Sequence, residues 1–298
     1  MSITSSTGVL EFVQHTTTIR DYLVDDPYCV GPHITPRRIS SGIPSAHRRY
    51  HKGEIDNNTI LKQFARIKEE SKEKKVELYR SVTQQFTPVL HYFFLERFFH
   101  PQQWYYSVHN FISTLSISSV VGYVVGLGDR HLRNIMIDGS TGQLIHIDFG
   151  ILFEKGRLLS VPEMVPFRLT REFIDCLGIE GIDGLLRAQM EHCMGLLRRH
   201  KDLIVTILEV FLHDPLNLWK APAGHTENEM IDNVNTSAEQ VLFRIENKIM
   251  GRDMQNTESI SVEKQVDVLL KAATNENNLA MMFHGWSSWL LSVCCIWS

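Results

Sequence analysis

The chain has 298 residues, which allows one large domain or two of modest size. Its hydrophobic content of 43%, charged content of 21% and net charge of −4 are ordinary for a globular protein and give no basic field for direct nucleic-acid binding. Five cysteines without paired CxxC motifs argue against a zinc or disulfide framework and favour a reducing compartment. Apolar stretches such as 203–212 fall short of the ~18 residues that a membrane span needs, so no membrane association is expected.

The N-terminal part is expected to hold little regular structure. Residues 8–13 form a short apolar run that is either a strand or a connector. Prolines, glycines and serines over 26–57 predict a long flexible loop, which several arginines and lysines make locally basic. We interpret this loop as solvated, with a docking patch as the alternative.

Helical periodicity dominates the rest of the chain. Apolar residues at three- to four-residue spacing predict helices over 59–82, 86–99 and 104–125. Thr170 is placed to act as an N-cap. Further helices are predicted over 171–177, 185–199, 201–212, 229–250, 262–273 and 275–283, with a linker over 219–229.

Two polar loops stand out from this pattern. The first contains Asp129-Arg130-His131 and Asn134, and the second is Asp148-Phe149-Gly150. Protein-kinase catalytic sites use H-R-D-x-x-x-x-N and then D-F-G, with the first Asp as base and Asn plus the second Asp on metal. The triplet is reversed here, but Asp129 still stands five positions before Asn134. The pattern indicates the catalytic half of a kinase.

The residue types suit phosphoryl transfer. The charge on the transferred group calls for hard oxygen ligands on Mg²⁺, which Asn134 and Asp148 can supply. Asp129 is placed to orient and deprotonate the attacking hydroxyl. His131 can donate a hydrogen bond or positive charge to the γ-phosphate.

The segment between the loops predicts a β-hairpin. Residues 134–137 and 143–147 are apolar and β-branched, and the turn-forming residues 138–142 separate them. Such a hairpin would hold Asn134 and Asp148 at the same edge. The alternative is two surface loops with ordinary aspartates, which the presence of both motifs at this spacing disfavours.

Several further motifs carry a family resemblance. They are Gly8-Val-Leu-Glu-Phe12, Pro166-Phe-Arg-Leu-Thr170, Asp214-Pro-Leu-Asn-Leu-Trp219, and 262–290 with Gly285-Trp286. Together with the reversed triplet they resemble the phosphatidylinositol 3-kinase-related protein kinases (PIKKs), and within them the ataxia-telangiectasia-mutated (ATM) and Tel group. The likeness extends over nearly the whole chain.

The resemblance implies a fold and a domain order. The fold would be mainly α with a small β-hairpin: the C-terminal lobe of a PI3/PI4-kinase-like (protein-kinase-like) fold, with the N-terminal lobe missing. The implied order is a hinge remnant over 1–25, the basic loop over 26–57, the kinase lobe over 58–260, a FATC-like segment over 261–290 and an atypical extension over 291–298.

The resemblance also implies site roles and cofactors. ATP and Mg²⁺ (or Mn²⁺) would be the cofactors, with Asp129 and His131 catalytic and Asn134 and Asp148 on the metal. Backbone groups of Leu10, Glu11, Phe12 and Val13 would contact the adenine. An activation segment would include Phe149, Gly150, Lys155, Arg157, Pro166, Phe167 and Arg168.

The implied biology is phosphorylation of Ser or Thr before Gln in nuclear proteins, at DNA breaks and telomeres. DNA-break sensor proteins would bind through parts outside this chain. The acceptor segment 151–165 has two basic and two acidic residues, which suits a peptide better than an anionic lipid headgroup. A phosphoinositide kinase and a truncated, non-catalytic binding module are the alternatives.

Two departures from the family pattern accompany these expectations. No Gly-rich phosphate loop precedes Gly122, so the chain alone is expected to show little or no activity. Beyond Trp289-Leu290 the sequence adds eight residues, which we interpret as a gene-model alteration, with a membrane-touching tail as the alternative.

Overall fold

In a computed structural model of the chain, the structure describes residues 12–24, 45–50, 63–64, 66–67, 70–85, 87–212, 227–252 and 258–282. Two compact units are present. The larger unit is His15–Met190 with Val268–Ser298, and the smaller is Met1–Gln14 with Glu191–Asp267. The predicted extension over 291–298 lies outside the described residues.

The described residues are mainly helical with one small sheet, which confirms the predicted fold class. In chain order the elements are β1 Thr16–Thr18, α1 Ile19–Leu23, α2 Ala46–Tyr50, α3 Lys72–Gln85, α4 His91–Arg97, α5 Pro101–Val125, β2 Ile135–Asp138, β3 Leu144–His146, α6 Arg171–Asp175, α7 Leu185–Arg199, α8 Lys201–Leu212, α9 Glu227–Met250, α10 Val262–Thr274 and α11 Glu276–Ala280. Short 3₁₀ helices cover Lys155–Leu158 and Gly178–Asp183.

The long helix α5 forms the centre of the larger unit. Pro101 stands in its first turn, where a missing N–H removes no helical hydrogen bond. Phe111 on α5 is fully buried and meets Phe94 edge-on at 5.4 Å and Phe173 at 6.2 Å between ring centroids. By length and a mean hydropathy of 1.4, α5 could cross a membrane, contrary to the expectation from short apolar stretches, but half of that apolar window is buried inside the fold. Its buried face marks it as a core helix.

A second core joins α3 to the C-terminal part of the larger unit. Tyr79 and Val76 of α3 pack with Leu279 and Met282 in one buried cluster. At its edge Arg80 donates to the carboxylate of Glu276 at 2.7 Å. The last described residues of the chain are therefore built into the same unit as the polar loops.

The sheet is antiparallel throughout, in the order β1-β2-β3. The β2–β3 hairpin confirms the prediction from turn chemistry. Strand β1 was not predicted, because its three threonines show no apolar alternation. It pairs with β2 through Thr17 opposite Ile137.

Two predicted helices differ from the observed ones. The helix predicted over 59–82 is interrupted: residues 63, 64 and 66 are helical, the Glu70 N–H then bonds to the Ile67 carbonyl in a turn, and α3 starts at Lys72. Residues 59–62 lie outside the described part. α4 starts at His91 rather than at residue 86, since Pro88 disfavours helical geometry at the residue before it.

Three other details differ from prediction. The segment predicted as a loop over 26–57 contains helix α2, and Ala46 and His47 of that helix are buried. α9 begins at Glu227, inside the predicted linker. Thr170 does stand at the N-cap position of α6, but its side chain makes no capping hydrogen bond.

The smaller unit is held by α8, α9 and the segment that follows them. Lys201 donates to Glu246 at 2.6 Å between the two helices. Arg198 donates to the Ile249 carbonyl at 2.9 Å and to the Ile260 carbonyl at 2.8 Å. Its guanidinium thus fixes the turn at the end of α9.

Candidate active site

The chain segment that leaves α5 and leads into the first polar loop is hydrogen-bonded to the segment that follows the second. Gly126 ends the helix in the left-handed conformation, with φ of 64°, where a Cβ would also meet the backbone of Glu154. Backbone hydrogen bonds of 2.8 to 3.0 Å then join residues 125–128 to residues 151–154. The chain segments on either side of the two motifs are therefore paired with each other.

The hairpin brings the two predicted metal ligands to one edge, as its turn chemistry predicted. Ile135 of β2 stands opposite His146 of β3. One step further, the Ile147 N–H donates to the Asn134 carbonyl at 3.0 Å. Asn134 therefore stands opposite Ile147, and Asp148 follows one residue beyond it at the same edge of the hairpin.

The Asn134 side chain is buried and its orientation is determined by Asp129. Its Nδ2 donates to the Asp129 carbonyl at 2.9 Å and to the Asp129 carboxylate at 3.3 Å. Because both partners are acceptors, the amide nitrogen must face them and the amide oxygen must point away. That oxygen is a hard donor of the kind that Mg²⁺ prefers.

Arg130 joins the two loops through their backbone carbonyls. Its guanidinium, in a residue only 3% exposed, donates to the Gly128 carbonyl and to the Ile147 carbonyl, both at 2.8 Å. It also donates to the Asp148 carbonyl. The planar fork of arginine can reach several acceptors at once, so one side chain fixes the spacing of both loops.

Both aspartates have left-handed backbones, with φ of 57° at Asp129 and at Asp148. This conformation is uncommon for residues other than glycine and persists where neighbours over-determine it. The Asp148 carboxylate accepts the Gly150 N–H at 3.1 Å, and the residue remains exposed. Asp148 can therefore offer its second oxygen to a cation.

The surroundings of His131 favour its neutral form. Burial lowers the pKa of His131, and the positive charges of Arg168 and Arg130 act in the same direction against Asp129. Its Nδ1 accepts the Arg133 N–H at 3.2 Å, which assigns the ring proton to Nε2. Nε2 lies 3.8 Å from the Asp129 carboxylate, so His131 presents an N–H donor beside the predicted base.

The donor set fits a divalent cation bound by few protein ligands. Among the residues that the structure describes, no three His, Cys, Asp or Glu side chains gather at one place. Magnesium does not need such a cage, because it keeps several waters and takes one or two carboxylates plus substrate phosphates. Asn134 and Asp148 suit that mode of binding.

Of the four residues predicted to contact the adenine, two lie in the described part of the chain. Leu10 and Glu11 lie outside the described residues. Phe12 and Val13 are 80% and 36% exposed. Their role stays a prediction.

The predicted activation segment divides into two parts. Near its start, Phe149 is 56% exposed, and Arg157 pairs with Glu154 at 3.6 Å. Lys155 is an exposed residue, and partial desolvation lowers the pKa of its amine. Since one of these two bases is paired with an acid, this part of the segment presents no uncompensated cationic cluster.

The second part, Pro166-Phe167-Arg168, contributes buried side chains to the core. Phe167 and Arg168 are buried, and Arg168 donates to the Arg130 carbonyl at 3.2 Å. Burial lowers the pKa of Arg168 to about 9. Arg168 therefore supports the backbone of the first loop from the buried side, where no phosphate-accepting substrate would bind.

Sequence reasoning gave no role to two residues of this site. Arg130 was only the middle of a motif, and Glu163 counted only as one of two acids balancing a charged segment. In the structure the Glu163 carboxylate accepts the Asp129 N–H at 2.8 Å. The sequence carries no signal for this contact, because the partner of Glu163 is a backbone N–H.

Comparisons with known families show which family the chain belongs to. The family described as phosphatidylinositol 3- and 4-kinase matches residues 1–221, and the FATC domain matches residues 259–290. The serine/threonine-protein kinase ATM of Drosophila melanogaster is 37% identical, covering 94% of this chain and 10% of that protein. The serine/threonine-protein kinase tel1 of Schizosaccharomyces pombe is 35% identical, covering 95% of this chain and 10% of that protein.

Solved structures give the same picture. The FAT and kinase domain of CtTel1 superposes with a TM-score of 0.76 at 33% identity, covering 94% of this chain and 18% of that one. A complete CtTel1 dimer with C2 symmetry gives a TM-score of 0.76 over 9% of its chain. The chain thus spans about a tenth of the length of the curated relatives that it matches.

Proposed function

The chain belongs to the phosphatidylinositol 3- and 4-kinase family and carries a FATC domain, and we propose that it is the catalytic part of an ATM-type serine/threonine protein kinase. The observation that supports this most directly is the amide of Asn134 held on Asp129 beside Asp148. The similarity to kinases named ATM and tel1 supports the same choice.

In the proposed reaction Asp129 is the general base. It would accept the proton of a Ser or Thr hydroxyl as the oxygen bonds to the γ-phosphorus of ATP and the bond to ADP breaks. The Nε2–H of His131 would donate to a γ-phosphate oxygen as charge develops there. Because burial lowers the pKa of His131 and so favours its neutral form, we assign it a hydrogen bond and not a full charge.

Asn134 and Asp148 would hold Mg²⁺, with Mn²⁺ as the substitute to be tested. A bound cation would neutralise the negative charge of the phosphates. The role of the protein is to keep these two ligands at a fixed separation. Arg130 does so through the carbonyls of Ile147 and Asp148.

We propose a protein acceptor with Ser or Thr before Gln. A phosphoinositide headgroup carries several negative charges and calls for uncompensated basic side chains at the acceptor site. In this chain Arg157 pairs with Glu154, and segment 151–165 holds two acids against two bases, so it presents no such cluster. The preference for Gln rests on the resemblance to the ATM and Tel group.

We further propose a nuclear role in signalling from DNA breaks and telomeres, which rests on that resemblance alone. DNA-break sensor proteins would contact parts of a longer protein. The net charge of −4 gives no reason to expect direct nucleic-acid binding by this chain.

The test compares three acceptors in the presence of Mg·ATP. These are a Ser-Gln peptide, the same peptide with Asn in place of Gln, and vesicles containing phosphatidylinositol. They are measured with this chain alone and with this chain joined to the N-terminal lobe of the Drosophila relative. We call the form that shows transfer the assay protein.

We expect transfer to the Ser-Gln peptide, and its loss in Asp148→Ala. Preference for the vesicles would identify a lipid kinase. No Mg·ATP binding and no transfer by either form would favour the non-catalytic binding module. Full activity in Asp148→Ala would refute the proposed mechanism.

A further inference from the structure

Glu163 lies outside both polar motifs and yet contacts the first of them. Its carboxylate Oε1 accepts the backbone N–H of Asp129 at 2.8 Å. Its own N–H donates to the Gly156 carbonyl at 3.1 Å. The residue therefore closes a turn of the segment 151–165 and, with the same turn, holds the backbone of the proposed base.

Two glycines leave room for this carboxylate. A Cβ on Gly128 would lie 2.7 Å from Glu163 Oε2, and a Cβ on Gly156 would also overlap that oxygen. Non-bonded atoms do not approach each other so closely, so the Glu163 carboxylate occupies the space that a side chain would need at either glycine. The contact is a tightly packed one and not an exposed ion pair.

The bond falls at a backbone position where such support matters. Asp129 has a φ of 57°, which an L-residue adopts only when its surroundings hold it there. Glu163 holds the N–H of Asp129, and Asn134 holds its carbonyl. The direction of the Asp129 side chain follows from this backbone conformation.

We propose that Glu163 is a positioning residue that makes the orientation of the base Asp129 depend on the fold of the acceptor segment. The proposal rests on the proposed function, in which residues 151–165 receive the substrate. An acceptor that orders this segment thereby also fixes Asp129, and a displaced segment releases it. Binding of the acceptor and alignment of the base become one event.

The kinetic test uses Glu163→Ala and Glu163→Gln in the assay protein. Alanine removes the acceptor of the Asp129 N–H. We expect the loss of this charge-assisted hydrogen bond to lower kcat by about 10- to 100-fold. Glutamine keeps an oxygen acceptor and should restore most of this loss. KM for ATP should change by less than about threefold, because Asn134 and Asp148 keep their own contacts.

A second variant displaces the carboxylate without touching Glu163. Gly156→Ala places a methyl group on Glu163 Oε2 while keeping a backbone conformation open to alanine, so it should reproduce the fall in kcat. Gly195→Ala is the matched control, because nothing lies within 4 Å of its new Cβ. Glu77→Ala, on the exposed face of α3, controls for loss of a carboxylate.

A readout independent of catalysis separates this proposal from the proposed function. Amide hydrogen exchange over residues 127–131 of the chain should speed up in Glu163→Ala and stay unchanged in Glu77→Ala. Unchanged exchange overturns the contact, whatever the activity. Faster exchange with unaltered kcat, or a loss of Mg·ATP binding equal to the loss of kcat, overturns the positioning role. A wild type that transfers no phosphate while its exchange responds as expected counts against the kinase function and leaves the contact standing.

Discussion

The side-chain amide of Asn134 donates to both acceptors of Asp129, the backbone carbonyl at 2.9 Å and the carboxylate at 3.3 Å. A proposed metal ligand thus also orients the proposed base. The two roles need opposite ends of the amide: the nitrogen faces Asp129 and the oxygen is left for the cation. Only asparagine or glutamine offers both ends, and glutamine is one methylene too long for the same position.

Asn134→Asp should therefore be more damaging than its size suggests. The new carboxylate places an acceptor against the acceptors of Asp129 and leaves that carbonyl without its donor, at a cost of about 1–3 kcal/mol. We expect transfer to the Ser-Gln peptide to fall by about 100-fold, measured as kcat in the assay protein. Asn110→Asp is the matched control, because the Asn110 amide donates to the Thr141 carbonyl at 3.0 Å away from this edge of the hairpin. Equal losses in both variants would show that the effect is structural.

Arg130→Lys tests whether the spacing of the loops depends on a forked donor. A lysine ammonium is a compact point charge and cannot reach Gly128, Ile147 and Asp148 together. We expect kcat to fall by about 10-fold or more, even though the substituted lysine keeps the positive charge. The control Arg187→Lys alters an arginine of the same kind that pairs with Asp183 at 2.7 Å on the surface. Wild-type kcat in Arg130→Lys would show that charge alone suffices.

The hairpin and most helices could be predicted because their signals are local. Turn residues between β-branched runs mark β2 and β3, and helical periodicity gave α7 and α8 with their observed boundaries. Strand β1 escaped prediction because a run of threonines acquires strand geometry only by pairing with β2. Its partner lies far along the chain.

The residues of the candidate site also fall into those that the sequence predicts and those that it does not. Asp129, His131, Asn134 and Asp148 could be singled out because phosphoryl transfer requires these residue types at this spacing. Glu163 and Arg130 could not, because their partners are backbone groups: the Asp129 N–H and the carbonyls of the second loop. A sequence does not show which side chain will meet a given backbone group.

His146 should make the fold acid-sensitive. Burial and, to a smaller extent, the charge of Arg130 together lower the pKa of His146 to about 4, and its buried Nδ1 has no hydrogen-bond partner among the described residues. In the unfolded chain its pKa is about 6.5, so below that pH the unfolded state binds a proton that the folded state refuses. The stability present above pH ~6.5 is therefore lost progressively as the pH falls towards 4, by up to about 3 kcal/mol.

The measurement is the free energy of unfolding by urea at several pH values between 7 and 4. We expect His146→Gln to flatten this dependence, leaving the smaller share of His131, whose pKa burial also lowers. The exposed His192 serves as the control, and His192→Gln should keep the slope of the wild type. Identical slopes in all three proteins would mean that His146 is protonated as easily in the folded as in the unfolded state.

Leu279→Ala tests whether the FATC-matched segment supports the acceptor segment. Leu279 is 4% exposed in the cluster with Tyr79, and truncation of a buried leucine costs about 2–5 kcal/mol. Beside this cluster the Met164 N–H lies 3.4 Å from the Met282 sulfur, one residue beyond Glu163. We therefore expect a lower free energy of unfolding and, at a temperature where the variant is still folded, a lower kcat as well.

Leu203→Ala, at a residue 61% exposed, is the control and should change neither quantity by much. Lost stability with an unchanged kcat would confine the role of the segment to packing and would separate it from the contact between Glu163 and Asp129.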